Sequence, residues 1–163
     1  MNSNAAPPPK ALLRPATGQD VDSVSSCVME AYAPWVQRIG RKPWPMLQDY
    51  AAVLREEAVT VAEVNGQVAG LLVLCNTSEG LLIENVAVAP AWQGLGIGRA
   101  LLQYAESEAR RLHQRTVYLY TNELMVENVA LYARCGYIEY ERRQEQGFRR
   151  VFMRKTLPEQ NDA

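Results

Sequence analysis

The sequence predicts a mixed α/β fold, one mixed central β-sheet flanked by about four helices in the order β-α-α-β-β-β-α-β-α-β-β. Three observations predict it. Short apolar segments bounded by turn residues alternate with segments of helical spacing, Asn65-Gly66 joins two of the extended segments as a tight turn, and the chain has one domain's worth of residues. With 163 residues, 48% of them hydrophobic, the chain can bury one core and has no room for two.

The elements follow in order. Residues 1–10, rich in proline and polar side chains, and residues 158–163 read as flexible tails around a single domain over 11–157. Residues 11–14 start a strand that Pro15 stops. Thr17 or Asp20 can cap a helix that carries Val21, Val24 and Val28 on one face, with Pro34 as its expected boundary. Residues 35–46 hold Gly40, Pro43 and Pro45 and read as a loop before a second helix through Leu47, Tyr50, Ala51 and Leu54. Extended segments then run over 59–64 and 68–74, since Asn-Gly supplies the positive φ angles of a type I′ turn. Residues 81–88 are apolar on both faces apart from Glu84 and Asn85, as a central strand would be. Leu101, Ala105, Ala109 and Leu112 give an amphipathic helix. Residues 116–120 are β-branched and aromatic, Val126 to Ala133 have helical spacing ended by Gly136, and two last strands flank Gly147.

Charge narrows the function classes. The net charge of −1 disfavours a nucleic-acid surface, and the Arg142-Arg143, Arg149-Arg150 and Arg154-Lys155 pairs read mostly as solvated strand faces. No apolar run reaches the length of a membrane span and no signal peptide is visible, so the expectation is a cytoplasmic protein with no membrane partner. One histidine and three scattered cysteines leave little material for a His/Cys zinc site, and no metal is expected.

The chemistry concentrates in residues 83–102, IENVAVAPAWQGLGIGRALL. A strand leads through a proline turn to glycines at 94, 96 and 98 and then to a helix. First-turn amides of a helix have no internal partners and carry the positive end of its dipole, so a phosphate is a natural ligand there, with Arg99 beside it. The bland alternative is a tight strand-to-helix turn. A P-loop is disfavoured, because Arg99 and Ala100 follow Gly98 where lysine and a hydroxyl residue belong. A dinucleotide fingerprint fits poorly too, because Arg99 stands where its last glycine belongs.

Gln93-Gly94-Leu95-Gly96-Ile97-Gly98 resembles the Q/R-x-x-G-x-G/A acyl-coenzyme A signature of the GNAT superfamily of N-acetyltransferases, and Ala130-Leu131-Tyr132 with Gly136-Tyr137 resembles its second motif. The resemblance implies the GNAT fold, acetyl-CoA as cosubstrate and an amine as acceptor, with acetyl transfer by direct attack in a ternary complex. It implies that backbone groups of Val86 and Val88 meet the pantetheine arm, and that Gln93 and the Gly94 to Arg99 amides, Leu95 and Ile97 included, hold the pyrophosphate. Tyr132 falls where the superfamily has the acid that protonates the leaving thiolate; its other reading is a tyrosine packed between helix and sheet. The usual pantetheine-binding asparagine is replaced by Met125, and Asn128 or Asn122 can take its place.

Glu84 is the candidate base for the amine, since a carboxylate on a buried strand has its pKa raised by desolvation, and period two puts Leu82 and Val86 on its face. Its alternative is a structural partner of an arginine or an amide. Tyr32, Trp35, Arg38 and Trp44 are the candidate acceptor-binding residues, a mixture suited to a small amine that bears a carboxylate or to a peptide terminus. A non-catalytic acyl-CoA-binding sensor is the alternative function. Exposed edge strands near the C-terminus allow a homodimer.

Overall fold

The computed structural model describes residues 10–159. Of the tails expected at 1–10 and 158–163, residues 1–9 and 160–163 lie outside the described residues. Seven strands form one sheet: β1 (Leu12–Pro15), β2 (Ala58–Val64), β3 (Gln67–Thr77), β4 (Gly80–Val88), β5 (Thr116–Asn122), β6 (Ile138–Glu145) and β7 (Phe148–Thr156), in spatial order β1-β2-β3-β4-β5-β7-β6. Only β4 and β5 pair in parallel, which requires the crossover helix between them. The helices are α1 (Val21–Ile39), α2 (Tyr50–Glu56), α3 (Ile97–Arg111) and α4 (Val126–Arg134).

Two apolar layers sandwich the sheet. On one face Val24, Val28 and Val53 of α1 and α2 pack on Val61, Leu71 and Ala87. On the other, Ile97, Leu101 and Ala105 of α3 and Tyr132 of α4 pack on Leu72, Ile83 and Leu119. The turn joining β2 to β3 has φ of 51° at Asn65 and 76° at Gly66, as type I′ geometry demands. Gly80 marks where β4 comes against β5. Its φ is +139°, and a Cβ there would lie 2.5 Å from the Thr116 carbonyl oxygen. Gly80→Ala is expected to lower stability by about 2 kcal/mol in denaturant unfolding, from strain and collision with backbone together.

One expectation fails at α1, which does not stop at Pro34. The helix runs five residues further, from Trp35 to Ile39, and ends at Gly40 (φ 84°), whose N–H bonds to the Val36 carbonyl. Proline removes only the bond to the carbonyl four residues back, and both Pro34 and Glu30 are exposed, so water can satisfy that carbonyl. Trp35 and Arg38 are therefore helical, not part of a loop. Among the described residues no helix is long and apolar enough to cross a membrane.

Candidate active site

The parallel pairing of β4 and β5 covers only Leu81↔Val117 to Ile83↔Leu119, although β4 continues to Val88 and β5 to Asn122. Past Ile83 the strands part, and a cavity of about 50 Å³ opens between them. Glu84, Asn85 and Val86 form its β4 wall, and Tyr120, Thr121 and Asn122 its β5 wall. Asn128 and Tyr132 enter from α4, Tyr32 from α1, Trp44 from the short 3-10 turn after it, and Phe148 and Arg150 from β7.

A β-bulge sets what β4 presents. Val73 pairs with Asn85 and Leu74 with Ile83, which leaves Glu84 as the extra residue. The bulge changes the phase of side chains, so Ile83 and Val86, three apart, both pack on the α3 side. The expected face shared by Leu82, Glu84 and Val86 is thus broken at Val86. Asn85 turns instead toward α1 and α2, where its Oδ1 accepts from the Tyr32 hydroxyl (2.7 Å) and its Nδ2 donates to the Tyr50 hydroxyl (3.3 Å).

Backbone polarity follows by alternation. Ala89 N–H bonds to the Ala69 carbonyl of β3 (2.9 Å), so the polar groups of Val88 and Val86 face the opposite side, toward the gap. Gln93 Nε2 donates to the Val88 carbonyl (3.0 Å) and ties the glycine loop back to the strand. Gly94 (φ 79°) and Gly96 (φ 83°) then turn the chain into α3, and a Cβ at either would meet nothing within 4 Å. The first intrahelical bond runs from Ala100 N–H to the Gly96 carbonyl, so the amides from Gly96 to Arg99 have no helical partner and no side-chain cap.

The structure brings Glu84, Val86, Asn128, Tyr132, Tyr32 and Trp44 to one cavity. Trp35 and Arg38 do not line it. Arg38 lies over the Trp35 ring, 4.9 Å from its centroid, and pairs with Glu127 in the first turn of α4 (2.7 Å). Met125, in place of the expected asparagine, is buried, and its sulfur accepts from Thr121 Oγ1 (3.6 Å) and Asn128 Nδ2 (3.7 Å). Burial holds the Tyr132 phenol well above its ordinary range, so it keeps its proton at neutral pH.

Sequence reasoning missed two residues, one in the cavity and one beside it. Arg150, expected on a solvated face, is buried and stacks 4.3 Å over Tyr120, with its Nη1 on Glu145 (2.7 Å). Its period-two relation to Phe148 and Phe152, both buried, was the available signal. Glu57, just after α2, faces Glu84, and its Oε2 is buried without a partner. Nothing local in the sequence links residues that meet only through the bulge.

Burial, then the adjacent Glu84 carboxylate, push the Glu57 carboxyl from 4.5 up to about 8. The native state therefore holds a proton there that the unfolded chain gives up at lower pH. This contribution is full below about pH 4.5 and is lost as pH rises to about 8. Glu57→Gln should remove that slope and be more stable than wild type at pH 9, on the order of 1 kcal/mol after solvent screening, in urea unfolding followed across pH.

Fold and site together define an α/β protein whose parting central strands and amide-lined helix start suit an extended ligand with an anionic end. The family model for the acetyltransferase (GNAT) domain matches residues 55–139, and the chain belongs to that family. Solved structures agree in fold. A GCN5-related N-acetyltransferase from Rhodopseudomonas palustris is 19% identical, with a TM-score of 0.77 over 91% of this chain and 96% of that one. The PaiA N-acetyltransferase of Thermoplasma acidophilum, in complex with coenzyme A, is 14% identical, with a TM-score of 0.76 over 90% and 98%. A GNAT family acetyltransferase from Elizabethkingia anophelis with acetyl-CoA bound is 19% identical, with a TM-score of 0.66 over 91% and 99%. The comparison with curated proteins finds no significant match.

Proposed function

We propose that this protein transfers the acetyl group of acetyl-CoA to a primary amine of a small molecule or peptide, by direct attack in a ternary complex. The observation that carries the reading is the meeting of Glu84 and Tyr132, a carboxylate and a protonated phenol, in one cavity where β4 and β5 part. The chain's residues fit the cosubstrate. The gap-facing groups of Val86 and Val88 can pair with the amides of a pantetheine arm as another strand would, and the free amides from Gly96 to Arg99 suit a pyrophosphate. The open space beside Gly94 and Gly96 leaves room for the phosphates to approach the backbone.

The proton traffic is simple. Glu84 takes a proton from the ammonium form of the acceptor, directly or through water, which frees the nitrogen lone pair to form the C–N bond to the thioester carbon. As the C–S bond breaks, the Tyr132 hydroxyl gives its proton to sulfur. The proton that the nitrogen sheds on becoming an amide restores the Tyr132 hydroxyl, Glu84 releases its proton to solvent, and the products are an amide and coenzyme A. Asn128, tied to Met125, stands beside this path at the cavity edge.

The test is release of free thiol from acetyl-CoA with a panel of amines: aromatic and aliphatic monoamines, amino acids, polyamines and peptide N-termini. The expected result is amine-dependent thiol release with an N-acetylated product by mass spectrometry. Tight acetyl-CoA binding with no turnover of any class would favour a sensor instead.

A further inference from the structure

A line of three hydrogen bonds runs along the α1 and α2 side of the cavity. Tyr32 Oη lies 2.7 Å from Asn85 Oδ1, Asn85 Nδ2 3.3 Å from Tyr50 Oη, and Tyr50 Oη 2.6 Å from the Pro45 carbonyl oxygen. Its direction is forced from one end. A backbone carbonyl only accepts, so Tyr50 spends its single proton on Pro45. The Tyr50 oxygen must then accept from Asn85, which turns the amide nitrogen to Tyr50 and the amide oxygen to Tyr32. Tyr32 in turn has to donate to Asn85.

The consequence lies at the cavity surface. Tyr32 has no proton left to offer, and its oxygen presents lone pairs only. The Val86 carbonyl, another pure acceptor, lies 3.5 Å from the same oxygen. Tyr32, Asn85, Val86 and Pro45 all line the cavity, whereas Tyr50 is buried behind them.

We propose that Tyr50 is a positioning residue which, through Asn85, fixes Tyr32 as a hydrogen-bond acceptor, so that this wall selects ligands bearing N–H donors and holds the amine for attack. The proposal rests on the reading of amine acetylation above. Burial holds both phenols above their ordinary range, so neither loses its proton and the polarity of the line persists across physiological pH. The same bonds join β4 to the Pro43-Trp44-Pro45 turn, whose residues also line the cavity.

The experiment uses Tyr50→Phe, Tyr32→Phe and the double variant, with the panel amine turned over fastest as the probe. Each single change is expected to raise the amine KM about 10-fold while kcat and the acetyl-CoA KM stay within about twofold. The double variant should be no worse than the weaker single one, because both break the same line. A multiplied, roughly 100-fold effect, or a loss confined to kcat, would overturn the proposal. Asn85→Leu, which can neither accept from Tyr32 nor donate to Tyr50, cuts the line at its centre and should give the same KM rise; it serves if Tyr50→Phe misfolds. A readout without substrate separates this proposal from the function itself: in protein labelled with [13Cζ]tyrosine, the Tyr32 resonance should shift on Tyr50→Phe. An unmoved resonance overturns the line of bonds even if amines are acetylated, and absence of turnover with a shifted resonance overturns only the reaction.

Discussion

Tyr132→Phe should lower kcat about 100-fold and leave the KM for acetyl-CoA within about twofold, because the change removes one proton and almost no volume. The phenol is suited to the role by its surroundings. It is 8% exposed, packs edge-on to Tyr137 at a centroid distance of 6.2 Å, and is kept protonated by burial. A thiolate leaving beside it would find a donor already in place. If the residue only packs helix α4 on the sheet, the phenylalanine variant will keep full activity, since it retains the ring. Steady-state kinetics with coenzyme A release decides between the two, and a kcat within threefold of wild type would remove Tyr132 from the reaction.

Glu84→Gln is the second large effect, again about 100-fold, and it should fall on kcat/KM for the amine. Glutamine keeps the shape of the side chain, so stability should change little while the capacity to accept a proton disappears. The loss should shrink when the acceptor is an amine of low basicity, which is already neutral at the assay pH. A loss that is equal for strongly and weakly basic amines would show that Glu84 acts on structure, not on the proton. Glu57 gives a contrasting control, because it neighbours Glu84 but does not line the cavity. Its substitution should move the pH dependence of stability while leaving a working base in place.

How much of this was legible in the sequence differs between the cofactor side and the acceptor side. The glycine loop was readable because its elements are local: β4, a proline turn and the start of α3 are consecutive, and glycine at 94 and 96 is needed for positive φ at both positions. The Asn65-Gly66 turn was readable for the same reason. The acceptor side is assembled from α1, the turn at 44–47, β5 and β7, which lie far apart in the chain. Trp35 and Arg38 were placed there by their composition, but α1 runs through Pro34 and carries them toward α4 instead.

Sequence alone therefore determined the order of elements, the family resemblance and the helix start with its free amides, because each depends on residues a few positions apart, whose φ/ψ preferences and spacing suffice. Only the tertiary structure decided which side chains share the cavity. One extra residue in β4 against β3 separates Glu84 and Asn85 from the phase of their strand, turning one toward Glu57 and the other into the Tyr32–Tyr50 line. The burial of Arg150 depends likewise on β7 lying between β5 and β6. Register and strand order arise from contacts between distant segments, and no local propensity encodes them.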